Sequence, residues 1–245
     1  MIKFYFKILN KMLTKNLLYI IIFLVLLFNS IIRLFKEKFI HIPAINDSTM
    51  IINLIPNKIY SFCDLYLLLL FAILIFFFLG VDFKNSMEEL ALSIGGSRIN
   101  KFMLRKLTII LILYFALYFV SFVNIYTLYL TMLPNKILLT PLKEIIFYSI
   151  VTNIFIISLS LFILFLSRDT AVSTSIITAY YLIEEGLWRC KVTQKYGILG
   201  HIYQYNDYES GELLKIKLFY LLLALLLIFL TYKLSKRKYI FNFIP

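Results

Sequence analysis

Charged residues are scarce in this chain. They make up 16% of its 245 residues, against 62% apolar and 18% aromatic. A soluble domain typically carries about 25% charged and 45–50% apolar residues, so an ordinary soluble class is excluded. Cysteine is limited to Cys63 and Cys190. Two cysteines specify neither a metal site nor a dependable disulfide, and free thiols are expected. The prolines at 43, 56, 134, 141 and 245 all lie outside the expected spans, so none interrupts one. No run holds a GxxxG pair, which removes that helix-dimer signature. No GxxxxGK[ST] phosphate loop is present, so the chain cannot bind and hydrolyse ATP by that route. There is no internal repeat, low-complexity linker or shift of composition that would mark a second domain.

What the chain has in abundance is unbroken apolar sequence. Uncharged runs cover 16–32, 65–81, 107–135, 145–167, 170–183 and 218–232. A helix needs about 20 such residues to cross the hydrocarbon core. The two shortest runs, 170–183 and 218–232, reach a plausible length only with flanking residues 184–188 and 216–217. The runs are apolar on every face rather than alternating, which excludes a membrane β-barrel. Lipid then leaves helices as the fold, because backbone groups find no other partner there. The expected architecture is all-α: one transmembrane domain over 1–245, with spans at about 16–34, 64–82, 106–130, 145–167, 170–188 and 216–232. The first run follows basic residues as a secretory signal does, but 29–34 offers no small-residue cleavage site, so it is expected to stay.

Lysine and arginine set the expected orientation. With the N-terminus inside, fourteen of them fall in inner segments and eleven, including Lys215 and Lys217, in outer ones. This predicts a multi-pass cell-membrane protein with both termini cytoplasmic. The net charge of +12 is dispersed over span ends with no recognition motif, which suits anionic lipid rather than nucleic acid. Phe4, Ile8 and Leu9 alternate with Lys3, Lys7 and Lys11, the pattern of an interfacial helix; a plain basic flank that sets topology fits the same residues.

Between the second and third spans, on the cytoplasmic side, stands MEELALSIGGSR at 87–98. Ser86 and Glu89 have capping-box spacing, so a helix is expected to start near Met87. Met87, Leu90, Ala91 and Ile94 recur at i, i+3, i+4 and i+7 as one apolar stripe. Gly95 suits a C-cap, since it takes positive φ without steric cost. Ser97 can cap the next helix, which carries Arg98, Lys101 and Arg105 into the third span. By periodicity alone, this short helix fits a float at the lipid headgroups as well as a docking element.

The order of an acidic residue, a Leu-rich turn, a small-residue break, Ser-Arg and a later Lys resembles the cytosolic loop after the second span of ABC-2-type transporter permeases. The matching residues are Glu88 or Glu89, Leu90, Leu92, Ser93, Gly95, Ser97, Arg98 and Lys106, about 25 positions of the chain. The six-span layout and the Ser167-Arg168-Asp169 hairpin extend the similarity loosely. Gly95-Gly96 departs from that family, which often has Pro there. The resemblance implies a coupling helix that docks on a separate ATP-binding cassette subunit. ATP would be bound by that partner and no cofactor by this chain. It further implies a second permease subunit, identical or different, and an exported peptide, lipid or other amphiphile. No catalytic residue is assigned.

Glu184-Glu185-Gly186-Leu187-Trp188-Arg189 fits EExxxR, the first motif of CAAX-type intramembrane proteases. That family needs two later histidine motifs, whereas only His201 follows here. The alternative reading places both glutamates at the outer end of the fifth span, with Trp188 as interface anchor and Arg189 as partner. A non-transporting immunity or assembly protein is the other alternative. The polar, aromatic segment 191–212, with Tyr203 and Tyr205, is either an ordinary outer loop or the external gate that the family resemblance implies, with Glu184 and Glu185 beside it. An aromatic face on span three, Phe115, Tyr118, Phe119, Phe122, Tyr126 and Tyr129, suits packing or lipid contact more than a substrate route. Ser149, Asn153 and Ser160 on span four, with Ser173, Thr174 and Thr178 on span five, are candidates for interhelical hydrogen bonds.

Overall fold

The computed structural model describes residues 17–40, 52–54, 56–84, 97–134, 137–190, 192–193, 196–199 and 211–236. These are almost entirely helical. Helix α1 covers Leu17–Leu34 and is followed by a short turn of helix, α2, at Lys36–Phe39. Strand β1 is Ile52–Leu54. The next helix, α3, is continuous from Asn57–Tyr60 through a π-helical stretch at Ser61–Leu67 to Leu68–Lys84. Then come α4 at Ser97–Met132, β2 at Ile137–Leu139, α5 at Leu142–Ser167, α6 at Thr170–Arg189 and α7 at Glu212–Lys236.

Among the described residues, four stretches are long and apolar enough to cross a membrane: Asn57–Gly80, Leu104–Met132, Leu142–Ser167 and Glu212–Ser235. Leu18–Leu34 is apolar but shorter. The helix expected as the fifth span, α6, is not among the four, since its first half is rich in Ser and Thr and its second carries Glu184 and Glu185. The expected N-terminal interfacial helix, and the coupling helix up to residue 96, lie outside the described residues.

Short-range chemistry explains several element ends. Pro56 and Pro141 each stand immediately before a helix, where a missing N–H costs nothing and a preset φ helps. Proline also drives the residue before it towards extended backbone, and each of these two helices is preceded by a short strand. The strands pair in parallel, Ile52 with Ile137 through Leu54 with Leu139, and Leu54 C=O accepts the Thr140 N–H at 3.0 Å. Helices α3 and α5 therefore start together at one end of the molecule. The α5–α6 hairpin closes at the opposite end. Arg168 takes the left-handed conformation (φ 54°) and its N–H caps Leu164 C=O, while the Asp169 carboxylate accepts the Val172 N–H at 2.9 Å.

Side-chain pairs then set helix directions. Asp64 meets Ser149 near the start of both helices, and Gly80 faces Leu164 and Thr170 near the far end, so α3 and α5 run the same way and α6 runs back. The Lys58 N–H reaches the Tyr129 hydroxyl and the Phe71 ring packs 4.7 Å from Tyr114, so α4 is antiparallel to α3. Lys217 meets Thr152 and Tyr220 packs on Phe155, so α7 runs with α5. On α1, Asn29 donates to Ser121 Oγ at 2.9 Å and accepts from Asn124.

The core centres on α3, 67% buried over its apolar window, whereas α7 is only 22% buried and presents Leu222, Leu225, Leu226 and Phe229 outward. The aromatic face of α4 is divided. Tyr114, Tyr118, Phe122 and Tyr126 stack inward one helical turn apart, while Phe115 and Phe119 face out. Those two rings and the outer face of α7 form an apolar exterior suited to lipid.

Candidate functional site

Ionisable groups inside a membrane bundle are costly and mark function by default. Three of them, Asp64, Glu184 and Lys217, are buried in the half of the bundle where α3 and α5 begin.

Asp64 stands in the middle of the π-helical stretch of α3, a geometry that is rare and frequent at functional sites. Its Oδ1 accepts from Ser149 Oγ at 2.5 Å and from Asn153 Nδ2 at 2.9 Å. Both donors lie on α5 at i and i+4, so one helical face supplies them. Ser149 has a single proton and gives it to Asp64, so the Tyr118 hydroxyl, 2.6 Å away, donates to Ser149. The Tyr114 hydroxyl donates to Asn153 Oδ1. Two chains of donors thus converge on one carboxylate oxygen: Tyr118 to Ser149 to Asp64, and Tyr114 to Asn153 to Asp64.

One residue before Asn153 on α5, Thr152 stands between this cluster and a second one. Its Oγ1 accepts from Lys217 Nζ at 2.7 Å, and the same ammonium donates to Ile198 C=O at 2.8 Å. Lys217 has no solvent exposure. Glu184, on α6, takes the Tyr180 hydroxyl at 2.5 Å and the backbone N–H groups of Ile198 and Leu199. The arrangement buries a lysine amine and two carboxyl groups in one half of the bundle, among hydroxyls, amides and one inserted segment of backbone. It can hold a polar or charged group inside an apolar bundle. Among the described residues, no three His, Cys, Asp or Glu side chains gather as metal ligands do.

The expected site residues are distributed unevenly. Glu88, Glu89, Leu90, Leu92 and Gly95 lie outside the described residues, as do Tyr203 and Tyr205. Ser97 and Arg98 form the first two positions of α4, where a helix start is expected. The two glutamates separate. Glu185 is exposed and pairs with Arg189 at 2.7 Å, while Glu184 is 4% exposed and faces the interior. The expectation that both sit at the interface with Arg189 is corrected for Glu184, because side chains one position apart point about 100° apart on a helix.

Lys217, counted with the outer lysines, is buried. Cys63 and Cys190 are both free thiols, as expected, the first wholly buried and the second exposed. The interhelical bonds expected of the Ser, Thr and Asn side chains on α5 and α6 form in part: Ser173 bonds to Ser167 Oγ across the α5–α6 hairpin at 2.8 Å. Ser149 and Asn153 reach α3 and α4, whereas Ser160, Thr174 and Thr178 bond to carbonyls of their own helices. Asp64 and Lys217 escape a sequence reading because each stands at the edge of an apolar run, where a charge reads as a flank. The signal that finds them is the length of the helix, which continues outward past both.

Comparison of the chain with family models, with curated proteins and with solved structures finds no match in any of the three.

Proposed function

We propose that this chain is the permease subunit of an ABC-2-like transporter, exporting a peptide, lipid or similar amphiphile with ATP hydrolysed by a separate subunit. The observation that carries the reading is the continuity of α4. Its 36 residues from Ser97 to Met132 form one unbroken helix, about 54 Å long at 1.5 Å per residue. That exceeds the roughly 30 Å hydrocarbon core. A displacement applied to the segment at 87–98 would travel as a rigid-body motion into the bundle, whose interior wall includes Tyr114 and Tyr118 of the same helix. The buried Asp64, Glu184 and Lys217 supply an interior polar site on that path, which a merely anchoring protein has no need of.

In this reading the segment at 87–98 docks in a groove of the ATP-binding cassette subunit. Burying one Leu there is worth roughly 1.5 to 3 kcal/mol, whereas a rim ion pair adds about 0 to 1. Leu92→Asp is therefore expected to abolish partner retention and substrate-stimulated ATP hydrolysis in the purified complex, and Glu88→Gln to leave both nearly intact. Full retention of both properties by Leu92→Asp would remove the coupling role and the permease assignment with it.

A further inference from the structure

Residues 196–199 enter the bundle between α6 and α7. Ile198 and Leu199 are buried, at 0% and 2% exposure. The segment is held by its backbone. Ile198 N–H lies 3.2 Å from Glu184 Oε1 and Leu199 N–H 3.4 Å from Oε2, while Ile198 C=O accepts from Lys217 Nζ at 2.8 Å. Tyr196 C=O accepts from the Tyr220 hydroxyl at 2.8 Å. Gly197 suits the close approach, since a Cβ there would press against Glu184 Oε2. A carboxylate thus takes two successive amide protons and an ammonium takes the carbonyl between them. Both charged groups are oriented by the bundle, Glu184 by Tyr180 and Lys217 by Thr152.

This is the chemistry of a site that reads a peptide backbone with apolar side chains. Amide N–H···O bonds run from about 2.7 to 3.2 Å, so the two bonds to Glu184 lie at the long end and a freely diffusing peptide can match them. We propose that the Glu184 and Lys217 pair is a binding site for an apolar peptide, occupied here by the chain's own Gly197-Ile198-Leu199 as a tethered plug. The inference rests on the permease reading in one respect: it names the substrate class as peptide rather than lipid.

The test uses the full chain in lipid nanodiscs, without an ATPase, and the capped peptide acetyl-Gly-Ile-Leu-amide as probe. The peptide is expected to bind saturably and to raise hydrogen exchange at the Ile198 and Leu199 amides as it displaces the plug. Acetyl-Gly-Asp-Ser-amide is expected to do neither. Gly197→Ala pushes the plug off Glu184 and removes a tethered competitor, so it is expected to tighten peptide binding about tenfold. Glu184→Gln loses charge-assisted acceptors and is expected to weaken binding by about tenfold or more. A segment that only fills space predicts the opposite for Gly197→Ala, a loss of folding and of binding together. Unchanged exchange at Ile198 and Leu199 with saturating peptide in the unmutated chain overturns the proposal however the variants fold. That failure leaves the Leu92→Asp experiment, and so the permease reading, untouched.

Discussion

Asn153 on α5 donates its Nδ2 proton to Asp64 Oδ1 on α3 at 2.9 Å, joining residues 89 positions apart in the chain. The bond closes a buried network, so its loss leaves a carboxylate short of a donor in an apolar interior. Asn153→Leu is expected to destabilise the protein by about 1.5 to 3 kcal/mol, the range for hydrogen bonds to charged groups. Ser160→Ala, on the same helix and equally buried but bonded only to Ile156 C=O, should cost less than about 1 kcal/mol. Unfolding in mixed detergent measures both. The double variant Asp64→Leu with Asn153→Leu should recover part of the loss, because the two polar groups leave together.

Adjacent glutamates are expected to behave oppositely. Glu185 is exposed with a surface partner, Arg189, and such pairs contribute about 0 to 1 kcal/mol. Glu185→Ala should therefore melt within about a degree or two of the unmutated protein. Glu184→Ala orphans two backbone N–H groups and the Tyr180 hydroxyl in the interior, and should lower the melting temperature several times further. Equal effects would show that Glu184 is solvated.

At the opposite end of the bundle, α3 touches the α5–α6 hairpin through Gly80. A Cβ at this position would overlap Thr170 Cγ2, on a β-branched side chain with little freedom to turn away. Gly80→Ala is expected to cost about 1 to 3 kcal/mol by overpacking. Thr170→Ser removes the offending methyl, so the Gly80→Ala, Thr170→Ser double variant should regain most of that stability. A double-mutant cycle on thermal melts reads the coupling directly.

The two thiols are expected to differ sharply in reactivity. Cys63 is wholly buried, and Cys190 is exposed just beyond the end of α6. Hydrogen bonds from the Val192 backbone and from Thr193 hold the Cys190 thiol below its ordinary pKa, since they favour the thiolate. Its maleimide labelling rate should therefore reach half its maximum at a lower pH than that of an unstructured cysteine peptide. Cys63 should label only after unfolding. In intact cells an impermeant reagent should reach Cys190 from outside; labelling only after lysis would invert the proposed orientation.

Much of the secondary structure is legible from local sequence. Apolar runs announce helices because lipid permits little else, and Ser167-Arg168-Asp169 announces its hairpin because a left-handed residue and an N-cap are properties of three consecutive positions. Ser97, expected near a helix start, is the first residue of α4. The candidate site is a different matter. Glu184 and Glu185 are indistinguishable in the sequence, and only the packing of α6 against 196–199 sends one inward and the other out.

The amino-acid order was enough to establish a helical, membrane-type chain and the ends of several of its helices, since those depend on hydrophobicity and on bonds between near neighbours. The burial of Asp64, Glu184 and Lys217, their hydrogen-bond partners, and the parallel pairing of β1 with β2 were decided by tertiary structure. Each depends on residues brought together across long separations, 65 positions for Lys217 and Thr152 and 85 for Ser149 and Asp64. A charge at the edge of an apolar run looks the same whether it faces water or a partner, and only the assembled bundle supplies the partner.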